Sequence, residues 1–375
     1  MADAFIVSAV RTPLGKAPNG ALRYTRPDEM GAVVIKEALA RVPALDPADI
    51  EDVILGCAMP EAEQGLNVAR IASLRAGVPV TASAVTVNRF CSSGLQAIAY
   101  AAERILLGAA EVIVAGGTES MSLVPMGGNK ISPNPALVDS YPDVYLTTGL
   151  VAENHAREAG VSREAQDAFA LRSHQLADQA WNDGFYDSWV VPVPDVDLAR
   201  DEGIRADSSL EKLAKLKPAF VKENGTVTAG NASPLNDGAS AVLIAGEGFH
   251  GEPLARIAGR GTHAVDPDIF GIGPVEAANK ALERAGITWD DVDLVELNEA
   301  FAAQSLACVG EWPDLDPEKV NVFGGAIAIG HPLGASGGRI LGTLAHGLKA
   351  RGGKWGVAAI CIGVGQGLAV VVEAA

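Results

Sequence analysis

The sequence predicts an α/β fold made of two similar halves. Its 375 residues exceed the usual single domain of about 100–200 residues. Hydrophobic residues make up 48% of the chain, which is enough for a sizeable core. Predicted strands and helices alternate in both halves, and one helix, turn and strand unit occurs twice. These observations favour mixed sheets covered by helices.

The repeated unit starts with an amphipathic helix. Residues Pro27 to Gly56 predict that helix, then an acidic turn and a strand, and residues Pro274 to Leu297 repeat the order. Each copy leads through another helix to a short predicted strand that contains Val-Asn. These strands are AVTVN at 84–88 and EKVNVF at 318–323. The correspondence indicates a duplication.

The elements that follow also correspond. After Asn88, CSSGLQAIAYAAERILLG predicts a half-buried helix that ends at Gly108, and EVIVAGG at 111–117 predicts a buried strand. The second half contains the corresponding elements, a predicted helix from Ser336 and the predicted strand GVAAICI. The uncharged stretch 355–372 contains four glycines, so it predicts two buried strands around a turn, not a membrane span.

The first strand is predicted in FIVSAVR near the N-terminus. An acidic residue and no basic residue precede this apolar run, which argues against a signal peptide.

The regular pattern is lost between residues 118 and 232. Stretches rich in Pro, Asn and Ser alternate there with polar helices, which predicts an inserted loop domain over an active site. We therefore assign residues 1–117 with 233–250 to the N-terminal half, 118–232 to the insertion, and 251–375 to the C-terminal half. The insertion holds a group of lysines that forms either a solvated helix face or a patch for an anionic ligand: Lys212, Lys215, Lys217 and Lys222.

The composition excludes several classes of protein. With 29 Lys and Arg against 46 Asp and Glu, the net charge is −17, which argues against binding nucleic acid or an anionic membrane. The cysteines Cys57, Cys91, Cys308 and Cys361 are far apart, so neither a zinc cluster nor a disulfide framework is indicated. Reduced thiols in a cytoplasmic protein fit best.

Four positions carry candidate chemistry. Cys91 lies between a strand and a helix that opens with Ser92-Ser93-Gly94, where helix N–H groups favour a nucleophilic thiolate. His331 is flanked by glycine and proline in GGAIAIGHPLGASGG and can act as a base near neutral pH. Cys361 ends a buried strand at a glycine-rich turn. Asn298, in NEAFA at a strand-to-helix junction, is either functional or a plain N-cap.

Taken together, these motifs resemble those of thiolases. VNRFCSSGLQAI, TVTAGNASPLNDGAS, NEAFA, GHPLGASGGR and CIGVGQG occur in the order and at roughly the spacing of that family. The similarity runs from FIVSAVRTPLGK to the last strand. GTESMSLVPMGGNKI, DEGIRADSSLEKLAKLKPAF and PDIFGIGP are most similar to the degradative branch, the 3-ketoacyl-CoA thiolases.

The resemblance implies a five-layered αβαβα fold and a set of roles. Cys91 matches the nucleophile that becomes acylated, and His331 matches the base that activates it. Cys361 matches a second acid/base. Asn298 would hold a water that, with His331, faces the thioester oxygen of the second substrate. The backbone amides of Cys91 and Gly363 would form the other oxyanion hole.

The resemblance also implies what the protein binds. Arg205, Ser233 and Phe301 fall at substrate-binding positions, with Arg205 and Ser233 where the family contacts CoA. CoA and acyl-CoA would be substrates, and neither a metal nor a bound cofactor would be required. A homodimer or a dimer of dimers is implied, with a β-oxidation enzyme as a further partner.

Two departures from the family pattern bear on specificity. Thr147 and Thr148 stand where biosynthetic enzymes carry His-Met and degradative ones Pro-Met, which favours the degradative branch and a pocket with room for a medium-length acyl chain. Val364 stands where glycine is usual, which implies a stiffer turn after Cys361.

Three other hypotheses about the function compete with a degradative thiolase. A ketoacyl synthase would lack the second cysteine. A biosynthetic acetyl-CoA acetyltransferase would run the same chemistry on two acetyl units. A silent structural subunit of a β-oxidation assembly would have lost a catalytic residue, and none is missing here.

Overall fold

The computed structural model describes residues 3–249 and 251–375. Its strands are β1 (Phe5–Arg11), β2 (Gly15–Lys16), β3 (Asp52–Gly56), β4 (Ser83–Val87), β5 (Val112–Ser120), β6 (Asn236–Ala245), β7 (Ala255–Ala264), β8 (Leu294–Leu297), β9 (Trp355–Ile362) and β10 (Gln366–Ala374). Its helices are α1 (Pro27–Ala40), α2 (Val68–Ala76), α3 (Ser93–Leu106), α4 (Pro135–Ser140), α5 (Thr148–Glu158), α6 (Arg163–Asn182), α7 (Leu210–Ala214), α8 (Gly273–Ala285), α9 (Ala302–Gly310), α10 (Ala326–Ile329) and α11 (Ser336–Arg351).

The strands form a mixed sheet in the order β4-β3-β5-β6-β1-β7-β10-β9-β8, with β2 paired to β6. Strand β3 runs parallel to β4 and β5, and β8 runs parallel to β9. The remaining pairs are antiparallel. Strands β1 and β7 meet only through Phe5 and Ile6. This short pairing is where the N-terminal and C-terminal parts of the sheet join.

Helices lie on both faces of each part of the sheet. Helices α1 and α2 bury their apolar residues on the outside of the N-terminal part, and α8 and α9 do so on the outside of the C-terminal part. Helices α3 and α11 lie between the two parts. The arrangement confirms the predicted αβαβα layers and the two similar halves.

The central layer follows from the sequence pattern of its helices. In α3, Ile98 and Ile105 recur at helical spacing and are buried, and in α11 Ile340 and Leu344 do the same. Full burial of each such side chain is worth about 1.5–3 kcal/mol. The helix starts also touch: a Cβ added to Gly94 would lie 2.5 Å from the carbonyl oxygen of Gly334, on the segment before α11. Only glycine permits that approach.

One predicted strand is wrong. In the stretch 318–323, Val320 makes a single bridge to Val295, and no strand forms there. The reason lies in Asn321, whose φ of 51° turns the chain out of the extended conformation. The side chain of Asn321 instead makes hydrogen bonds to the backbone of Leu297, as a paired strand would. Its Oδ1 accepts from the N–H of Leu297 at 2.9 Å, and its Nδ2 donates to the oxygen of Leu297 at 2.8 Å.

The segment between β5 and β6 contains α4 to α7. Strand β5 continues to Ser120 and β6 begins at Asn236, so the regular sheet reaches slightly past the predicted limits of the insertion. The division into 1–117 with 233–250, 118–232 and 251–375 stays a prediction. The two buried strands predicted in 355–372 are confirmed as the antiparallel pair β9 and β10. In the described ranges, no helix has the length and apolar character needed to cross a membrane.

Candidate active site

Cys91 lies in a tight turn between β4 and α3, within the short 3-10 helix Phe90–Ser92. Phe90 has a φ of 44°, a left-handed conformation that bulky residues rarely adopt. Side-chain hydrogen bonds hold the turn: the N–H of Phe90 donates to Oδ1 of Asn88 at 2.9 Å, and Oγ of Ser93 donates to the oxygen of Phe90 at 2.6 Å. The backbone around the thiol is therefore fixed in position.

Two backbone N–H groups favour the thiolate form of Cys91. They belong to Gly363 and to Cys91 itself, and both lower the pKa of the thiol. Burial acts the other way and is the larger effect, so the pKa is raised from 9.0 to about 11. Burial therefore opposes the stabilisation of the thiolate that the helix N-terminus is predicted to give, and the role of Cys91 as the nucleophile stays a prediction. A base must take its proton before it can attack.

Cys361 is the second thiol at this site. It is fully buried near the end of β9, and burial raises its pKa well above 9.0. A charge on Cys91 raises that pKa further, and β9 packs against the 3-10 turn that holds Cys91. The turn from β9 to β10 follows, with Val364 at a φ of 65°. This turn contains Gly363, whose amide favours the thiolate of Cys91.

The hydrogen bonds of His331 fix its tautomer. Nδ1 lies 2.6 Å from Oγ of Ser336, and that hydroxyl donates its own hydrogen to the oxygen of Pro332 at 2.9 Å. Since the hydroxyl proton is already used, Nδ1 of His331 must carry hydrogen and donate it. The Nε2 nitrogen is then unprotonated. The backbone N–H of His331 donates to Oδ1 of Asn236 at 2.9 Å, which anchors the segment to β6.

Asn298 contacts the free nitrogen of His331. Its Nδ2 lies 3.4 Å from Nε2 of His331, and its Oδ1 accepts from Nη2 of Arg339 at 2.7 Å. Burial lowers the pKa of His331 to about 3, and the charge of Arg339 lowers it too, so the imidazole is neutral near pH 7. Asn298 is not an N-cap, because α9 begins later, at Ala302.

The buried carboxylate of Glu119 ties the His331 segment to the N-terminal half. It accepts from the N–H of Gly334 at 2.8 Å and from that of Ala58 at 2.7 Å. Leu333 then packs in a small apolar cluster that also contacts Cys91. The fold thus brings Cys91, Cys361 and Gly363 into one group. It joins His331 with Asn298 in a second group whose own segment contacts Cys91.

The predicted substrate-binding residues lie on the insertion side. Arg205 is exposed and lines a depression together with Lys16, Ala232 and Pro234, the last two of which flank Ser233. The Ser233 hydroxyl donates to the oxygen of Ala300 at 3.0 Å. This bond ties the segment to the start of α9.

Phe301 is buried and belongs to an apolar cluster with Cys361 and Phe270. Its backbone also forms a bridge to Ala232, which lines the depression near Arg205. Among the lysines of the insertion, Lys212 forms an ion pair with Asp207 at 2.5 Å, and the others are exposed: Lys215, Lys217 and Lys222. The two alternatives for these lysines, a solvated helix face and a patch for an anionic ligand, both stay predictions.

Three residues of the site were not identified from the sequence: Glu119, Ser336 and Arg339. Each carried a weak signal. Glu119 is a charged residue that directly follows the predicted buried strand at 111–117, and Arg339 interrupts the apolar face of α11 between glycines and Ile340. A charged side chain that is buried this way is usually paired or functional.

Comparisons with known proteins agree over the whole chain. Residues 4–248 match the family model "Thiolase, N-terminal domain", and residues 251–374 match "Thiolase, C-terminal domain". The chain belongs to the thiolase family. The thiolase family is one of acyltransferase enzymes, so this chain is identified as an acyltransferase.

Individual thiolases are similar along their full length. The 3-ketoacyl-CoA thiolase of Bacillus subtilis is 47% identical over 392 residues, covering 100% of both chains. The 3-ketoacyl-CoA thiolase of Aliivibrio fischeri is 46% identical, again over 100% of both. The crystal structure of the Bacillus anthracis acetyl-CoA acetyltransferase has a TM-score of 0.90 and 42% identity, covering 100% of this chain and 99% of the other. The roles of the individual site residues stay predictions.

Proposed function

We propose that this thiolase cleaves 3-ketoacyl-CoA with CoA, giving acetyl-CoA and a shortened acyl-CoA through an acyl group on Cys91. The observation that carries the proposal is the packing of the turn that holds Cys91 against β9, the strand that holds the buried Cys361, with the N–H groups of Cys91 and Gly363 favouring a thiolate on Cys91. A thioester on that sulfur would place its carbonyl oxygen near those donors. The names of the curated relatives, 3-ketoacyl-CoA thiolase, support the same reaction.

In the first half of the reaction, Nε2 of His331 takes the proton of Cys91, and the thiolate attacks the 3-keto carbon. The N–H groups of Cys91 and Gly363 stabilise the negative oxygen. The bond between carbons 2 and 3 then breaks, and the electron pair forms the enolate of acetyl-CoA. Cys361 donates its proton to that carbon, which leaves Cys361 as a thiolate and Cys91 acylated.

In the second half, the Cys361 thiolate takes the proton of the incoming CoA thiol. The CoA thiolate attacks the thioester on Cys91, and the acyl group passes to CoA. The Cys91 thiolate recovers its proton from His331. Each group ends in its starting protonation state, and no metal or redox cofactor enters the balance. Unchanged turnover in the presence of a chelator would support this part of the proposal.

The acyl group on Cys91 can be tested directly. Incubation with acyl-CoA or 3-ketoacyl-CoA, without an acceptor, should leave an acyl adduct on the peptide that contains VNRFCSSG, detected by mass spectrometry. The Cys91→Ala variant should give no adduct. Cys57 and Cys308 serve as internal controls, because both are buried thiols with raised pKa values. An adduct on either of those cysteines, and none on Cys91, would refute the proposal.

For the acyl chain, we propose a medium-length substrate. Thr148 begins α5, and one turn later Val151 and Ala152 belong to the apolar cluster that also contains Cys361. Two threonines are smaller than His-Met, so more methylenes fit, each worth about 0.8 kcal/mol when buried. A medium-chain 3-ketoacyl-CoA should then have a kcat/KM up to roughly tenfold above acetoacetyl-CoA.

The second candidate is acetyl-CoA acetyltransferase activity, which the name of the similar Bacillus anthracis structure favours. A kcat/KM series across chain lengths separates the two. A strict preference for acetoacetyl-CoA would support the second candidate.

We also propose that the protein forms a homodimer or a dimer of dimers and acts in the cytoplasm, where its four thiols stay reduced. The outermost strand β4 supports association, because Val85 on it is 43% exposed and Val80 just before it is 75% exposed. An exposed sheet edge with apolar side chains favours pairing with a second chain. Light scattering after gel filtration should give a mass of two or four chains.

A further inference from the structure

Arg339 is a buried charge that influences the candidate base His331, and the reaction scheme above does not use it. It lies in the first turn of α11, and only 1% of its surface is exposed. Its Nη2 donates to Oδ1 of Asn298 at 2.7 Å. Two other nitrogens, Nε and Nη1, are buried without a hydrogen-bond partner among the described residues. A buried guanidinium is costly, so this placement calls for an explanation.

An ordinary buried ion pair does not explain it. The carboxylate of Glu296 lies close enough for the two charges to influence each other's pKa, yet its Oε2 is also buried without a partner among the described residues. Burial raises the pKa of Glu296 to about 8, so this carboxyl group is largely protonated at neutral pH. The guanidinium therefore directs its hydrogen bond to a neutral amide and not to the nearby acid.

The bond to Asn298 sets the direction of a whole chain of hydrogen bonds. Arginine has only donors at any relevant pH, so the atom of Asn298 that faces it must be Oδ1. The N–H₂ group of Asn298 is then turned to Nε2 of His331, which must accept. Nδ1 of His331 donates to Ser336, whose hydroxyl donates to Pro332. Reversing the amide would put an oxygen against Nε2 and break this order.

We propose that Arg339 is a positioning residue that fixes the amide orientation of Asn298, so that an N–H group faces Nε2 of His331 and the developing charge on the substrate. This inference rests on the proposed function. The guanidinium donates to Asn298, which lies between it and Nε2 of His331. It acts through Asn298 and keeps Nε2 of His331 in its unprotonated, hydrogen-accepting form.

A double-mutant cycle tests whether Arg339 acts through Asn298. Arg339→Met removes the donor but keeps much of the length, and loss of a charged hydrogen bond should lower kcat roughly ten- to a hundredfold with little change in the KM for CoA. In an Asn298→Ala background, the same change should cost less than about threefold. Arg351→Met, at the exposed end of the same helix, is the control. Losses that multiply in the double variant would overturn the proposal.

A second measurement needs no turnover, so it separates this inference from the proposed function. The chain has six histidines, and ¹⁵N labelling of histidine reports the protonation and hydrogen bonding of each ring nitrogen. His331→Ala identifies the signals of His331. We expect an unprotonated Nε2 in the wild type, and the same shift of that signal in Arg339→Met and in Asn298→Ala.

An unchanged Nε2 signal in folded Arg339→Met would refute the inference, whatever the enzyme activity. If Arg339→Met does not fold, Arg339→Lys replaces it, because lysine keeps the charge near Glu296 and also has only donors. Arg339→Lys should then keep the wild-type tautomer and retain more activity than Asn298→Ala. Loss of the tautomer in Arg339→Lys would overturn the proposal.

Discussion

The two halves of the molecule share one strand arrangement but connect it differently. In the C-terminal half, the antiparallel neighbours β9 and β10 are joined by a tight turn at residues 363–365. In the N-terminal half, the corresponding neighbours β5 and β6 are separated by residues 121–235. The short connection brings a backbone amide to the nucleophile, whereas the long one carries Arg205 and Ser233. The same sheet position thus serves chemistry in one half and candidate substrate binding in the other.

The connections into the central helices differ in the opposite sense. Residues 88–92 join β4 to α3 and hold Cys91 in a tight turn. In the C-terminal half, residues 321–335 lie between the Val320 bridge and α11, and they carry His331. The longer segment allows the histidine to reach Asn298 on one side and Asn236 on the other. Each half therefore keeps one short connection for rigidity and one long connection for added function.

The largest expected effect is the loss of turnover when Cys361, next to the short turn between β9 and β10, is replaced. Cys361→Ala removes the proposed proton shuttle but leaves Cys91 and His331, so overall turnover should fall by about 10²–10⁴-fold while acylation of Cys91 survives. His331→Ala should instead impair acylation itself. Turnover assays and mass spectrometry of the adduct measure both steps. Cys308→Ala, which removes another buried thiol, is the control. If Cys361→Ala and His331→Ala both acylated at the wild-type rate, the division of roles would be contradicted.

The protonation state of Cys91 gives the next largest effect. With a pKa of about 11 for Cys91 and about 3 for His331, both groups are neutral near pH 7. The thiolate fraction should then rise about tenfold per pH unit up to pH 10, and so should the rate of alkylation by iodoacetamide. Peptide mapping assigns the label to Cys91. A rate that levels off below pH 7 would instead indicate a thiolate paired with imidazolium.

Replacing Arg205 tests whether the long connection between β5 and β6 binds CoA. Arg205→Ala removes an exposed cation from the depression near Ser233, so the KM for CoA should rise about three- to tenfold, and more at low salt, because screening is weaker there. The acylation rate should change little. Arg157→Ala, an exposed arginine on α5 paired with Glu158, is the matched control. An unchanged KM for CoA in Arg205→Ala would place the CoA site elsewhere.

The smallest effect concerns strain in the short turn. Val364 is β-branched and has a φ of 65°, a conformation that costs of order 1–3 kcal/mol for such residues. Val364→Gly should relieve this strain, and the entropy of glycine offsets part of the gain, so the free energy of unfolding should rise by about 1 kcal/mol. Denaturant titration measures it, with Val364→Ala as an intermediate. A lower stability in Val364→Gly would show that the valine side chain contributes more than its strain costs.

The sequence alone predicted those features of the structure that depend on residues close together in the chain. The apolar spacing predicted α3 and α11, and the glycine-interrupted stretch predicted the β9 and β10 pair. The repeated unit predicted two similar halves. The motifs around Cys91, His331 and Cys361 indicated the family, because each needs particular residue types at fixed positions.

Tertiary structure decided what depends on residues far apart in the chain. Asn321 replaces a predicted strand with side-chain hydrogen bonds to Leu297. Burial raises the pKa of Cys91, although its place before a helix favours the opposite shift. The Arg339 bond to Asn298 spans 41 positions of the chain. Desolvation and long-range hydrogen bonds leave no periodic signal in a sequence, because they depend on which distant groups the fold brings together.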